Sequence, residues 1–343
     1  MFKWEHYQMM IQKMSVVMAL LLNSLFFFLV IRHSPKSLGT YKYLMISICI
    51  FEFWYAIIDV ALLPIIHSFG STFVIIFQLK TFIHDKFTLE FFACLYCAFF
   101  GSSLAIFSIH FVYRFWAISG SQRLKSFSGK KVFLWLIIPL ANGCNWAFFA
   151  WFSCLPRKSS DDYLRNSILE TFDLPLEKIT YLAPYFFEET SNSTTRIYYP
   201  SFIGIIVDSG TIITSVFVAA LYAFKCFNTL QTLLESRTKS DKVKRIQSQL
   251  FYSLVTQTLI PVILMHIPVG MMFICAFTGQ DVGSLCGIVT ITIALYLALD
   301  PIPTILIVKD YRKALFGYIR SGCVRVLRKP ASSADRTVTT TRV

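Results

Sequence analysis

Seven long apolar stretches limit what this 343-residue chain can fold into. A bilayer has a hydrocarbon core about 30 Å thick, so a helix needs roughly 20 mostly apolar residues to cross it. Stretches of about that length occupy residues 14–31, 43–69, 91–113, 132–153, 201–224, 250–277 and 283–308. The sequence therefore predicts an all-α membrane protein in which seven transmembrane helices form one bundle. A shorter apolar segment at residues 72–77 cannot span a bilayer, and we expect it in the loop after the second helix.

The composition supports a membrane protein and opposes a soluble one. Hydrophobic residues make up 55% of the chain and charged residues only 15%, which leaves too little charge to cover a soluble protein of this size. The net charge of +13 is interpreted as lysine and arginine in cytoplasmic loops, not as a nucleic-acid-binding surface. The closest cysteines, Cys94 and Cys97, lie inside an apolar run and are interpreted as packing residues instead of zinc ligands.

The distribution of basic residues predicts the orientation of the bundle. The connections after the first, third and fifth spans, together with the C-terminal tail, hold 23 of the 32 lysines and arginines. Because basic loops stay on the cytoplasmic side, we expect the N-terminus outside and the C-terminus in the cytoplasm. The loop from Cys154 to Tyr199 holds seven acidic residues and the sequon Asn192-Ser193-Thr194, so we predict glycosylation of Asn192.

The chain divides into a bundle and two short cytoplasmic segments. The bundle covers residues 1–310, and an amphipathic juxtamembrane helix is predicted for residues 311–329, where Cys323 is a candidate for palmitoylation. Residues 330–343 lack apolar content and are predicted to be a disordered cytoplasmic tail. The polar, basic connection after the fifth span is expected to extend the fifth and sixth helices into the cytoplasm.

Several ionisable residues lie inside the predicted spans, where they are costly and therefore candidates for function. Glu52 and Asp59 lie seven residues apart on one face of the second helix. They either form hydrogen bonds within the bundle or take part in ligand binding or switching. Asp208 in the fifth span and His266 in the sixth lie at outer or middle depth, so they are the better candidates for contact with a ligand.

The inner end of the third span carries the sequence HFVYRFW, which contains His110, Tyr113 and Arg114. Arg114 is either an anchor at the membrane boundary or part of a switch surface. In the seventh span, Asp300 precedes Pro301 near the same side of the membrane. In the sixth span, two prolines free backbone carbonyls and predict a kinked, hinge-like helix: Pro261 and Pro268.

Motifs of hydrolases, metalloproteases and nucleotide-binding enzymes are absent from the sequence, and the acidic side chains of the spans are scattered over three helices. We therefore predict no catalytic residues, no metal site and no cofactor. A transporter or ligand-gated channel stays open as an alternative, because titratable groups within the membrane can couple protons to transport. Against a transporter, seven spans do not divide into two equal halves with matching broken helices.

Four segments, in order and at the matching spans, resemble the nematode serpentine chemoreceptors of the Str type, the group that includes the diacetyl odorant receptor. They are FEFWYAIIDVALLPIIHS, HFVYRFWAI, QLFYSLVTQTLIPVILMHIPVG and LALDPIPTILIVKDYRKAL. The resemblance covers roughly residues 11 to 320. It implies a G-protein-coupled receptor (GPCR) for olfaction that lies in the plasma membrane of sensory cilia. Its partners would be a small odorant or other chemical cue, a heterotrimeric G protein and membrane lipids, with homo- or heterodimers left open.

The same resemblance implies roles for individual residues, and the sequence departs from some of them. Tyr113 and Arg114 resemble the Asp-Arg-Tyr switch of rhodopsin-like receptors, but no acidic residue precedes Arg114. Asp300 and Pro301 resemble their Asn-Pro motif, although the tyrosine expected after it is missing. A disulfide from the third helix to the following outer loop is also implied, and Cys154 is the only cysteine of that loop.

Overall fold

The computed structural model describes residues 2–35, 38–80, 83–189, 195–237, 239–283 and 286–327, without the side chains of residues 2–5, 189 and 321–327. Within these ranges, seven helices are long and apolar enough to cross a membrane, which confirms the predicted bundle. They are α1 (His6–His33), α2 (Tyr41–Leu62), α3 (Lys86–Ile118), α4 (Gly129–Cys154), α5 (Tyr199–Glu235), α6 (Asp241–Thr278) and α7 (Cys286–Ile307). A further helix, α8 (Lys309–Leu327), follows α7 directly.

The second helix is shorter than the apolar stretch that predicted it. The prediction of one helix over residues 43–69 was wrong, because α2 ends at Leu62. The next residue, Leu63, takes a left-handed conformation with φ 47°, and its N–H donates to the carbonyl of Asp59 at 2.7 Å. Pro64 has no N–H and disfavours helical backbone in the residue before it, so the helix stops here.

The apolar residues beyond Pro64 form a β-hairpin instead. Strands β1 (Ile65–Phe69) and β2 (Thr72–Gln78) pair antiparallel across a two-residue turn, in which Gly70 takes a positive φ of 52°. Strand β3 (Ile179–Leu182), from the loop after α4, pairs antiparallel with β2. Segment 72–77, predicted only as a loop piece, is therefore the central strand of a three-stranded sheet.

A helix in the same loop completes a small domain outside the bundle. This loop helix, Lys158–Phe172, buries Leu164 and Ile168 against the sheet and shares an apolar cluster with it. We call β1, β2, β3 and the loop helix the cap, and the end of the bundle beneath it the capped end. The opposite end, which carries Arg114 and the basic connections, is called the basic end. A second hairpin, β4 (Phe187–Glu189) and β5 (Thr195–Ile197), lies beside the cap.

Polar contacts fasten the cap to the helices. After β2, the Lys80 ammonium donates to the last carbonyls of α2, those of Ala61 and Leu62, at 2.9 and 2.8 Å. Burial lowers the pKa of Lys80 to about 8, while the nearby Asp59 carboxylate opposes this shift. In turn, Asp59 accepts hydrogen bonds from the Gln12 amide of α1 at 3.3 and 3.4 Å. One polar cluster thus joins α1, α2 and the cap.

The helices near the basic end are long, and α6 is irregular. Helices α5 and α6 reach past the predicted spans to Glu235 and back to Asp241, as expected for cytoplasmic extensions. Within α6, a π-helical turn at Val262–His266 lies between Pro261 and Pro268. Such turns accompany a lost hydrogen bond in the helical ladder and are frequent at functional sites.

Helix α8 packs back onto the bundle. The Tyr311 hydroxyl, buried in α8, lies 2.8 Å from the Ser34 hydroxyl at the end of α1. Burial raises the pKa of Tyr311 to about 12. The backbone of Cys323 belongs to α8, but its side chain lies outside the description. Asn192 and the predicted tail at 330–343 also lie outside the described residues.

We predict that Lys80→Met lowers the free energy of unfolding by about 1.5–3 kcal/mol, because two buried helix carbonyls lose a charged donor. Thermal unfolding of the purified protein in detergent measures this loss. The matched control is Lys86→Met at the exposed start of α3, which should change stability by less than about 0.5 kcal/mol. Equal effects of the two substitutions would contradict the proposed anchor.

Candidate functional site

A cavity lies at the capped end between α3, α4, α5, α6 and α7. The cap contributes to its wall through Ile66, Phe73 and Leu182. The cavity has a volume of about 80 Å³. One water needs roughly 10–15 Å³ of such volume, so the cavity has room for about five to eight waters. A small molecule of similar volume fits it.

The wall of the cavity is apolar and aromatic, with one carboxyl group. Asp208 of α5 lines the cavity, is only 8% exposed and accepts a hydrogen bond at Oδ1 from the Asn145 amide of α4 at 2.8 Å. No lysine, arginine or histidine lies among the lining residues. The sequence predicted Asp208 as a ligand contact, and the structure places it in the cavity.

The other two predicted ligand residues lie outside the lining of the cavity. His266 of α6 lies behind Phe100, with ring centroids 4.6 Å apart, and its Nε2 is hydrogen-bonded to the Ser103 hydroxyl at 3.0 Å. Because Phe100 lines the cavity, His266 touches its wall from behind. Asp59 is fully buried among α1, α2 and the cap, where Gln12 donates to it.

The floor of the cavity depends on a close approach of α3 and α4. The Trp146 indole lies directly over Gly101, where an added Cβ would meet Trp146 Cδ1 at 2.2 Å. Similarly, Gly143 of α4 leaves room for the Ser102 hydroxyl. The indole N–H of Trp146 donates to the Thr211 hydroxyl of α5 at 3.1 Å. Small residues therefore set the position of a large aromatic wall residue, as is usual between membrane helices.

At the basic end, Arg114 connects α3 to α6. Its guanidinium is only 2% exposed and donates through Nη2 to the Gln247 carbonyl at 3.0 Å and to Gln247 Oε1 at 2.6 Å. It also lies over the Tyr41 ring, 5.2 Å from the centroid. No carboxylate of the described residues pairs with Arg114. Since an interfacial anchor keeps its charged group in water, this burial argues against the anchor interpretation.

The Tyr41 ring of α2 contacts the other two predicted switch residues of α3. Tyr113 stacks on its ring with centroids 5.3 Å apart, and His110 contacts the ring edge-on at 5.5 Å. Within the described part of the chain, His110 Nε2 is buried without a hydrogen-bond partner. A small cavity beside it reaches Gln257 and Thr304, so these polar groups surround one enclosed space.

Deeper in the bundle, Asp300 of α7 also pairs with an amide of α6. The Gln257 amide donates to Asp300 Oδ2, and the Thr304 hydroxyl donates to Gln257 Oε1 at 3.0 Å. Pro301 begins the final helical segment of α7 directly after Asp300. The Glu52 carboxyl of α2 lies close enough to Asp300 for the two acids to interact. Gln247 and Gln257 thus connect α6 to α3 and to α7.

Sequence reasoning found the ionisable residues but missed their partners. All of these partners except a serine are neutral amides on another helix: Gln12, Ser103, Asn145, Gln247 and Gln257. Amide side chains are rare in apolar spans because they need hydrogen-bond partners there. Asn145 and Gln257 lie within predicted spans and could have been found by this signal, whereas Gln12 and Gln247 lie just outside them.

The described residues contain neither a metal cluster nor a disulfide. No group of three or more His, Cys, Asp or Glu side chains among them could hold a metal ion. The eight cysteines in the described part are free, including Cys154 and both cysteines of α3. The bundle thus has a cavity at its capped end and a buried arginine, Arg114, at its basic end.

Comparison with solved structures defines the class. The fold is similar to that of squid rhodopsin with a TM-score of 0.62, over 93% of this chain and 87% of rhodopsin. Sequence identity is only 10%, so this likeness shows the fold alone. The fold is therefore the seven-helix transmembrane bundle that rhodopsin also has.

The sequence then identifies the family. The chain belongs to the serpentine seven-transmembrane GPCR chemoreceptors of the Str type, whose family model matches residues 8–316. This family is one of receptors, not of enzymes, and the chain is a multi-pass membrane protein.

Relatives match along nearly the whole chain. One is the Caenorhabditis elegans G-protein coupled receptor str-217, 30% identical over 93% of this chain and 91% of the relative. Another is the Caenorhabditis briggsae serpentine receptor class r-10, 32% identical over 91% of this chain and 88% of the relative. The protein of that name from Caenorhabditis elegans is 32% identical over 83% of each chain.

We predict that Gly101→Ala lowers the free energy of unfolding by about 1–3 kcal/mol, because the added methyl group collides with the Trp146 ring. The control is Gly210→Ala on α5, where an added Cβ meets nothing within 4 Å. That change should be neutral or stabilise the helix by up to about 1 kcal/mol. Thermal unfolding of both variants in detergent measures these changes. An unchanged stability of Gly101→Ala would contradict the described packing of Trp146.

Proposed function

We propose that this protein is a chemosensory, olfactory receptor that binds a small chemical cue in the capped cavity and activates a heterotrimeric G protein at the basic end. The observation that carries the proposal is the pairing of two sites in one chemoreceptor bundle. At one end lies an apolar cavity beneath the cap, and at the other Arg114 holds α6 through Gln247. A ligand at the first site can therefore influence a contact at the second through α6.

The basic residues support an orientation with the cap outside the cell. The connections at the basic end hold most lysines and arginines of the chain, while the loop that forms part of the cap holds seven acids. By the positive-inside rule, Arg114 faces the cytoplasm and the N-terminus lies outside. The G protein would meet the extended ends of α5 and α6 beside Arg114.

Activation in this proposal is a shift between two states of the bundle. The described state keeps α6 against α3, because Gln247 accepts two hydrogen bonds from the buried Arg114 guanidinium. Hydrogen bonds to a charged group contribute about 1.5–3 kcal/mol, which corresponds to a tenfold or larger effect on a two-state equilibrium. A ligand that prefers the open state needs only a differential affinity of that order.

Helix α6 carries the change from one end to the other. Its part at the capped end lines the cavity through Val269, Met272 and Phe273. Its π-helical turn, between Pro261 and Pro268, has a weakened hydrogen-bond ladder and acts as the hinge.

The predicted site residues take four roles in this proposal. Asp208 contacts the ligand, and His266 supports the aromatic wall behind it. A switch cluster surrounds Tyr41 and Gln257: His110, Tyr113, Arg114, Asp300 and Pro301. We assign Asp59 to the anchorage of the cap in place of ligand binding, because Gln12 and Lys80 surround it.

The proposed location is the plasma membrane of chemosensory cilia, in keeping with a chemoreceptor. Asn192, in the loop proposed to face outward, remains a candidate for glycosylation, and Cys323 in α8 remains one for palmitoylation. In the proposed orientation, Asn192 would be glycosylated outside the cell and Cys323 would be palmitoylated on the cytoplasmic side.

We predict that Gln247→Ala raises basal G-protein activation about tenfold, because α6 loses its side-chain contact with Arg114. Gln247→Glu should lower basal activation, since a carboxylate forms a stronger contact with the guanidinium. Nucleotide exchange on co-expressed G protein, normalised to receptor at the cell surface, measures both. A change of the same sign in both variants would contradict the proposed role of the contact between Arg114 and Gln247.

Arg114→Ala also frees α6 from Gln247, but it removes the side chain proposed to meet the G protein in the open state, so we expect it to abolish activation while surface expression is preserved. If its signalling is intact at normal surface levels, Arg114 is not part of the G-protein contact. Ligand-evoked current that persists without any G protein would favour a channel or transporter instead.

We predict that Ala150→Phe abolishes ligand-evoked signalling but keeps basal activity, because the added ring fills part of the cavity that Ala150 lines. Ala141→Phe, on the exposed face of the same helix, is the matched control and should leave the response unchanged. Calcium imaging with an odorant panel records the responses. A full response in Ala150→Phe would place the ligand elsewhere.

A further inference from the structure

We propose that the ligands of the capped cavity are small amines, held by an ion pair between their ammonium group and the Asp208 carboxylate. This inference rests on the proposed function, because it names the chemical class that the same cavity recognises. It starts from Asp208, the one carboxylic acid among otherwise mostly apolar and aromatic lining residues.

Asp208 is the one carboxyl group of the cavity, and its charge has no protein partner among the described residues. Asn145 donates a hydrogen bond to Oδ1, but none of the described residues donates one to Oδ2. The side chain is 92% removed from solvent, since its exposed fraction is 8%. A carboxylate in such a place is costly unless a cation pairs with it. The wall supplies no lysine, arginine or histidine to do so.

An amine supplies the missing charge. An aliphatic ammonium has a pKa near 10.4 in water, so it is a cation at neutral pH. It donates two or three hydrogen bonds, and one of them fits the open Oδ2 of Asp208. If the carboxyl group is protonated before binding, its proton passes to the nitrogen of a neutral amine. Either route ends with a carboxylate and an ammonium ion, so charge and protons balance.

The aromatic wall favours the same class of ligand. Five aromatic rings line the cavity besides a tyrosine: Phe73, Phe100, Trp146, Phe149 and Phe273. Aromatic faces attract cations and also bury the hydrocarbon body of the ligand. Trp146 is held beside Asp208 by its hydrogen bond to Thr211, one helical turn further along α5.

The size of the cavity limits the amine to a small one. Room for about five to eight waters fits a ring or branched chain of a few carbons, not a peptide or lipid. The cap lines the cavity with apolar side chains only. A ligand with a second charged group would therefore leave that group without a partner.

Binding of matched compounds to the purified protein in nanodiscs tests this inference. The probes are cyclohexylamine and isopentylamine, with methylcyclohexane and 2-methylpentane as uncharged isosteres and cyclohexanol and cyclohexanone as polar, neutral analogues. Ligand-induced shifts of the unfolding temperature give apparent dissociation constants. We expect the amines to bind at least about tenfold more tightly than every neutral analogue.

Two substitutions of buried acids supply the matched variants. Asp208→Asn keeps the shape and an acceptor for the Asn145 amide but removes the charge, so the preference for amines should fall below about twofold. Asp59→Asn removes an equally buried carboxyl group outside the cavity and should leave the preference intact.

Three outcomes would overturn the inference. They are equal binding of amines and neutral analogues by the wild-type protein, a preference that survives Asp208→Asn, and a preference that Asp59→Asn also removes.

Failure of this inference and failure of the proposed function give different results. The binding assay contains no G protein. Amines that bind through Asp208 without activating a G protein would therefore contradict the receptor function and keep the ligand class. Conversely, a ketone or alcohol could activate the receptor. If Ala150→Phe blocks this signalling and Asp208→Asn does not, the receptor function stands and the proposed ligand class is wrong.

Discussion

The cost of a polar group in hydrocarbon is the constraint on which this structure depends. In water an unpaired side chain finds a solvent partner, but inside a membrane bundle the partner has to come from the protein, usually from another helix. Among the described residues, the buried Glu52 carboxyl is an exception without a hydrogen-bond partner. Four charged or acidic residues of the bundle meet this demand in the same way, each with a neutral amide from a different helix. The pairs are Asp59 with Gln12, Asp208 with Asn145, Asp300 with Gln257, and Arg114 with Gln247.

Neutral amide partners have a consequence for how such a bundle can move. An ion pair buried in a membrane is expensive to break, because each partner then loses its countercharge in a medium of low polarity. An amide satisfies a charged group with one or two hydrogen bonds and needs no compensating charge when it leaves. Two of these pairs connect α6 to its neighbours, and α6 also contains the proline-bracketed π-helical turn. The helix proposed to move, α6, is thus held by hydrogen bonds whose free energy a small ligand can exceed through its preference for the open state.

The cap follows different physics, since it lies beyond the helix ends. There water satisfies backbone groups that a strand leaves unpaired, so an apolar run can form a hairpin in place of more helix. The periodicity of residues 65–78 resembles a continuing span, and only Pro64 marks the change. The sequence prediction assigned residues 65–69 to the second span and residues 72–77 to the loop after it, and therefore missed the sheet. A stricter use of the proline signal would have ended α2 at the correct place.

Much of the architecture was nevertheless predictable from the chain alone. Seven apolar stretches determine seven spans because backbone groups in a bilayer can be satisfied within single helices. Four ordered motifs indicate the family, and the isolated charges at positions 59, 114, 208 and 300 marked polar points of the bundle.

Only the tertiary structure decided where each of these charges lies and what it contacts. It separated Asp208, which faces a cavity, from Asp59, which accepts hydrogen bonds from Gln12 of α1, although both are acids in apolar spans. It also showed that Arg114 is buried against Gln247. The physical reason is that burial and partnership depend on contacts between helices far apart in sequence, whereas the crossing of a membrane depends on local hydrophobicity alone.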